Sequence, residues 1–350
     1  MAMSTSRRRL LSLLPGLAVF PALRASAHGV SLDLHHPLPA ESAFHKEFLA
    51  PWVQKVEAEA GGRIRFHPHA SSTLGGSAES LYDQARDGGT DVVWGPVRVA
   101  ADHLPALTVL GFPFMVRSAT GASRAASEYA RINDLPDRDF DGTRVIAVHV
   151  GDPGQLHWSR APEGSDPAGR RVAIASTADG AVLAAMGATP VETDPARMAE
   201  ALQAGTVDGV VLPWSQLAPH GVDPLARAHT EFGVGQPGLS CTVYVFAVSA
   251  GSFRGLADDL KAVFDGNSGT ETAAWLGRVM DTAAARARKA AVDRGDVIRV
   301  VTADERGKWQ QAARTAIDAQ ARALERGGVK IKRLLESARE QLGDYDKAPR

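Results

Sequence analysis

The feature that most constrains the fold is a unit that occurs twice. From Gly169 to Trp214 the chain reads as a strand (Arg171 to Ala175), a Ser176-Thr177 turn into a helix, a second helix opened by Asp194-Pro195, and an apolar strand ending in Pro213-Trp214. Asp as cap, Pro at the first helical position, Met198 and Leu202 four apart and Gly205 just past the end mark one short helix. A weaker copy lies earlier: a strand from Arg63 to His67, a Ser/Gly-rich turn, a helix from Glu79 to Arg86, Gly88-Gly89, and a strand from Thr90 to Pro96 that carries Trp94. Two such α/β units predict two lobes, and in open α/β sheets a ligand sits beyond the carboxyl ends of the strands. Trp94 and Trp214, at those ends, are expected to face each other across the gap; core packing within each lobe is the alternative for both.

Ser6-Arg7-Arg8-Arg9, an apolar run to Leu23 and Ala25-Ser26-Ala27 read as an export signal over residues 1–27, cleaved before His28. The paired arginines also fit a twin-arginine signal. Interrupted by Pro15 and Pro21, the run is too short to span a bilayer. A periplasmic protein is the expectation. Removing the signal takes four arginines and no acid from the 350 residues, which leaves 35 basic against 40 acidic side chains in the remaining 323. That mildly acidic balance argues against nucleic acid or an anionic membrane as partner, and the length suffices for two lobes with a core each. The single cysteine, Cys241, allows no internal disulfide and sits in an apolar stretch where a small buried residue is expected.

The expected division is a first lobe from residues 28–148 plus about 240–270, a second from 149–239, and helices from 271–350 packed on the lobes or over the hinge. Thr143 to Val150 is expected to lead into the second lobe. Thr242 to Val248, continuously apolar, is expected to return to the first with both faces buried. Beyond Glu271 the chain reads as helical throughout.

No nucleophile elbow, HExxH, Walker loop or CxxC occurs. Gly233 to Gly238 satisfies GxGxxG but neither follows a clear strand nor opens a helix, so it reads as a loop. His67 and His69 share a strand face, yet Pro68 stands between them and no third ligand is evident, so they read as surface residues. Asp91 and Asp208 read as turn and capping residues. No cofactor or metal is expected. The polar groups best placed to line a cleft are His36, at the end of the first strand, and Arg98, Gln155 and His157 near strand ends or loops.

Several motifs together resemble the solute-binding proteins of tripartite ATP-independent periplasmic (TRAP) transporters, the DctP-like family. They are "GGRIRFHPHASSTLGGSAESLYDQARDGGTDVV", Leu110-Gly111-Phe112-Pro113-Phe114 followed by Arg117, the Gly169 strand, and "MGATPVETDPARMAEALQAGTVDG", in the family's order and spacing over nearly the whole mature chain. The resemblance implies a two-lobed, periplasmic-binding-protein-like α/β fold with a hinge, a central cleft and a C-terminal helical layer. It implies a small organic solute as ligand and TRAP-type permease subunits as partners. It further implies an arginine that pairs bidentately with a ligand carboxylate. In Gly169-Arg170-Arg171-Val172-Ala173-Ile174 that position holds Ala173, and Val211 and Leu212 stand where the family commonly has Glu and Asn. Losing the cation together with its polar neighbours is self-consistent, because an unpaired buried charge is costly. Arg171, roughly 6.6 Å back along the strand, is expected to face solvent. The ligand then lacks the usual arginine-bound carboxylate, or its acid group is held by Arg98, main-chain amides or a cation. Two alternatives stand beside this: a secreted enzyme on the same lobes, for which the sequence offers no convincing constellation, and a sensor that hands its occupied state to a signalling receptor.

Overall fold

Period-2 patterning is clear from the first strand: in Val30–His35, Leu32 and Leu34 are buried while Ser31 and Asp33 are exposed. A computed structural model describes residues 29–97, 104–162 and 166–347; the export segment and Arg98 lie outside the described residues. In chain order the strands are β1 (Val30–His35), β2 (Ile64–His69), β3 (Val92–Pro96), β4 (Thr143–Val150), β5 (Gln155–Trp158), β6 (Arg171–Ile174), β7 (Thr189–Glu192), β8 (Gly209–Leu212), β9 (Ala228–Glu231), β10 (Val243–Ser249) and β11 (Val297–Val300). They pair into two sheets, β2-β1-β3-β10-β4 and β11-β9-β5-β8-β6-β7, one for each lobe.

In the first sheet β10 runs antiparallel between β3 and β4. All seven of its residues are buried, because Val245 and Ala247 enter the apolar cluster on one face and Tyr244, Phe246 and Val248 the cluster on the other. Thr143–Val150 belongs to the first sheet and leads into the second lobe through the segment that follows it. It is β4, the sheet edge beside β10, where Val148 and Val150 join the first of those clusters.

The repeated unit in the second lobe is richer than the sequence pattern implies. Between its two helices, Thr177–Ala185 and Met198–Gln203, runs β7, an edge strand beside β6. Its Pro190 is tolerated there because an edge strand does not need every N–H for pairing. Asp194 caps the turn ahead of the second helix by accepting from the Ala196 N–H. The region after residue 271 is not helical throughout either, since β11 pairs parallel with β9 at the far edge.

Two segments cross between the sheets, from β4 to β5 and from β9 to β10, and they run side by side. Gly151 N–H donates to Thr242 O, Gly154 N–H to Ser240 O and Leu239 N–H to Gly154 O, at 2.9 to 3.1 Å. Glycine is required at the contact: a Cβ on Gly238 would lie 2.6 Å from Gly154 O. Gln155 adds a side-chain tie, its Oε1 accepting from Phe232 N–H at 3.1 Å.

A third connection is the 25-residue helix Thr270–Arg294, about 37 Å long at 1.5 Å per residue. Gly277 lets it approach the start of helix Ala119–Ile132, where an added Cβ would lie 2.4 Å from Ala119 O. Asp281 of the long helix accepts from the Ala119 and Thr120 N–H groups there, and its other end places Ala291 in the second lobe's core. Helix Ala303–Arg326 is shared between lobes: Trp309, Ala313 and Ala316 belong to a cluster of the second, Ile317 and Leu324 to a cluster of the first. Helix Ile331–Lys347 then packs back on helix Ala119–Ile132.

Gly238→Ala is expected to destabilise the protein by about 1–3 kcal/mol, the usual range for overpacking, and to lower the thermal midpoint. Calorimetry checks this, with Gly205→Ala (no neighbour near its Cβ, but a left-handed backbone) as a strain control that leaves the crossings alone.

Candidate functional site

The lobes meet at a crevice lined by Leu38, Ser42, Ala43 and Phe44 from the segment after β1, by Ser215, Gln216 and Pro219 after β8, and by Val279, Met280 and Ala283 of the long helix. It lies at the carboxyl ends of β1 and β8, where an α/β sheet leaves room for a ligand. Its wall is mainly apolar with a few hydroxyl and amide groups.

Behind the first-lobe wall stands a layered aromatic group. Phe44 stacks on Trp94 with ring centroids 3.6 Å apart, and Trp94 stacks in turn on Tyr244 at 4.8 Å. His149, opposite Tyr244 in the β4/β10 register, lies flat against the same ring at 5.0 Å. Trp94 Nε1–H donates to His149 Nε2 at 2.8 Å. His36 meets Phe44 edge-on and shares a hydrogen bond at 2.9 Å with His45, between Nε2 and Nδ1. Burial depresses the imidazoles of His36 and His149 to about 3, so both are neutral in the folded protein at ordinary pH. The Nδ1 atom of His36 is buried without a hydrogen-bond partner.

The second-lobe face is apolar where the resemblance implied a cation. Ala173 is fully buried among Met198, Leu202, Val210, Leu212 and Trp214. His157 meets the Trp214 ring edge-on, donates from Nε2 to Leu212 O at 3.0 Å, and faces His229 Nδ1 at 2.8 Å with its own Nδ1. Burial first, and His229 second, hold His157 well below its ordinary value. Trp214 Nε1–H donates to Glu231 at 2.9 Å, and Arg288 of the long helix pairs with both oxygens of that carboxylate at 2.8 and 2.9 Å.

Ala173, His157, Leu212 and Trp214 are thus brought together on one face of the second sheet, and His36 and Trp94 on the facing lobe. Trp94 and Trp214 do not touch: each is packed in its own lobe, and their neighbours Phe44 and Ser215 are what meet across the crevice. Gln155 turns to the crossings rather than the crevice, because the Phe232 N–H takes its carbonyl. Arg171 pairs with Asp208 on the outside of the sheet. Sequence reasoning missed Phe44, whose spacing with Phe48 looked only like a helix face. It also missed His149, Tyr244 and Met280, which sit in runs that read as core.

A buried carboxyl fastens each crossing. Asp152 accepts from Ser215 Oγ–H and N–H, and Asp179 from Ser240 Oγ–H and N–H. Burial pushes Asp152 up to about 7 and Asp179 up to about 6, against the serine hydrogen bonds, which favour the charged form.

The model of the bacterial extracellular solute-binding protein family 7, DctP, matches residues 34–323. Among solved structures, a TRAP solute-binding protein from Rhodoferax ferrireducens T118, in complex with copurified benzoate, is 31% identical with a TM-score of 0.85, over 91% of this chain and 99% of that one. A marine metagenome TRAP solute-binding protein specific for aromatic acid ligands, with co-crystallized 3-hydroxybenzoate, is 29% identical with the same TM-score, over 91% and 99%. A Bordetella bronchiseptica TRAP protein with bound mandelate, 23% identical over 90% and 99% with a TM-score of 0.78, extends the likeness of fold.

The raised carboxyl at Asp152 makes the folded chain hold a proton that the unfolded chain gives up near the ordinary value of 3.8. Its contribution to stability is therefore full below about pH 4 and lost as pH rises through about 7, by up to about 1.4 kcal/mol per unit. Asp152→Asn is expected to gain on the wild type between pH 5 and pH 8. Thermal midpoints of the two proteins across that range check it, and a constant difference would count against the buried, proton-holding carboxyl.

Proposed function

Because the chain belongs to family 7 of the bacterial extracellular solute-binding proteins, we propose that it captures a small aromatic acid between its lobes in the periplasm and delivers it to a TRAP-type membrane permease. The observation that supports this reading best is the flat aromatic wall of Phe44, Trp94 and Tyr244 behind the crevice, in a chain 31% identical to a benzoate-bound protein. Planar rings stack on such a wall in offset or edge-on geometry, with gains beyond simple area burial.

The site is atypical. With Ala173 where the resemblance implies arginine, the carboxylate is received by neutral donors of the crevice, by main-chain amides, or by Arg98. Closure about the two crossings buries the ring and excludes water, which strengthens the few polar contacts that orient the solute. Trp214 supports the second-lobe wall, held by Glu231 and Arg288. Among the described residues no helix is long and apolar enough to cross a membrane; the partner in this reading is a TRAP-type permease.

Purified protein is expected to gain about 2.7 kcal/mol of stability at a ligand concentration of 100 times Kd, seen as a raised thermal midpoint with benzoate and 3-hydroxybenzoate and no rise with hexuronates. Mass spectrometry of the solute after incubation is expected to return it unchanged. Turnover would instead favour an enzyme on these lobes, and stabilisation by sugar acids alone would remove the aromatic reading.

A further inference from the structure

Gln216 lines the crevice with an amide that the protein itself hardly uses. It closes the short turn Trp214–Gln216 after β8 and is only 6% exposed. Its main chain is committed, the N–H donating to Pro213 O at 3.1 Å and the carbonyl accepting from His220 N–H at 3.2 Å. Its side chain has a single polar contact among the described residues, Nε2 to Ser215 Oγ at 3.5 Å, longer than the roughly 2.7–3.2 Å of an ordinary N–H···O bond. Among those residues no group donates to Oε1.

Its neighbours decide which way the amide points. Ser215 Oγ–H donates to Asp152, and a hydroxyl has one hydrogen, so toward Gln216 the Ser215 oxygen can only accept. An amide oxygen placed there would meet a second acceptor. Nε2 therefore faces Ser215, and Oε1 is turned away from it. The crevice thus holds two acceptors that a carboxylate cannot satisfy, Ser215 Oγ and Gln216 Oε1. Beside them stand donors that can hold a carboxylate: the second Nε2 hydrogen, and the hydroxyl of Ser42, whose oxygen accepts from His45 N–H at 3.3 Å. A solute with a carboxylate and a bare ring would strip water from Oε1 on closure and offer no donor in return. A hydroxyl on the ring would supply one.

On the reading of the crevice as an aromatic-acid site, we propose that Gln216 is its specificity-determining residue: Oε1 accepts from a hydroxyl of the solute, which makes hydroxylated aromatic acids the preferred ligands over plain ones. A site built to hydrogen-bond a hydroxyl discriminates against the analogue that lacks it.

Calorimetric titrations at pH 8, above the value of about 7 to which burial raises Asp152, keep that carboxylate ionised and Ser215 donating to it. Wild-type protein is expected to bind the better of 3- and 4-hydroxybenzoate at least about tenfold more tightly than benzoate. In Gln216→Met, which keeps the length of the side chain without its amide, that ratio is expected to fall to about twofold or less. A residue that merely shaped the wall would weaken both acids alike and leave the ratio standing. In 13C-labelled wild-type protein the Gln216 Cδ resonance is expected to move downfield on saturation with the hydroxybenzoate, and to move less with benzoate. A smaller ratio in the wild type, a ratio that survives in Q216M, or equal carbonyl shifts with the two acids overturns the proposal, and the carbonyl shift decides it even if the variant fails to fold. Benzoate binding with no preference for the hydroxyl removes the role of Gln216 alone, whereas binding of no aromatic acid removes the aromatic reading together with it.

Discussion

Main-chain pairing between the two crossings, Gly151 to Gly154 against Leu239 to Thr242, sets how the lobes face each other, and the crevice takes its shape from that pairing. The backbones approach so closely at Gly154 and Gly238 that neither position has room for a side chain. Around this seam the protein places groups that resist slippage: the Gln155 amide on Phe232 N–H, and the Asp152 and Asp179 carboxyls, each taking a serine hydroxyl and its N–H. Buried polar groups of this kind specify one arrangement because every alternative leaves them unsatisfied. The long helix Thr270–Arg294 adds a stiff link outside the seam, tied to the first lobe through Asp281 and to the second through Arg288.

The two lobes disagree in how they handle charge. In the second, the Arg288 guanidinium beside Trp214 is already paired with the protein's own buried Glu231, and position 173 is wrapped in apolar side chains. In the first, the polar atoms near the crevice are neutral imidazoles held in an aromatic frame. Desolvating a neutral donor costs less than desolvating a cation, which agrees with neutral groups on the first-lobe side and a buried methyl group at position 173 on the second.

Much of the architecture was legible in the sequence because it is written locally. The Asp194-Pro195 cap, the glycine stops and the alternating strands gave two α/β units, and the Gly233 to Gly238 stretch proved to be loop between β9 and β10. Allegiance of a strand to a sheet is not local: Thr143–Val150 is apolar enough for either lobe, and only its pairing with β10 decides. β7 and β11 escaped notice because edge strands of four residues carry little pattern. At the site, Trp94 and Trp214 were visible as strand-end aromatics, whereas Phe44 and His149 acquire meaning only from the rings beside them. Gln155 looked like a cleft residue until the Phe232 N–H claimed it.

The central place of β10 has a bearing on how the chain is assembled. It is made some ninety residues after β4, the neighbour it must join to β3. Until it emerges, β3 and β4 each present an open edge inviting the wrong partner. The amino-terminal half therefore cannot mature by itself during synthesis, and the first sheet is completed only after every strand of the second except β11 has been threaded between its parts.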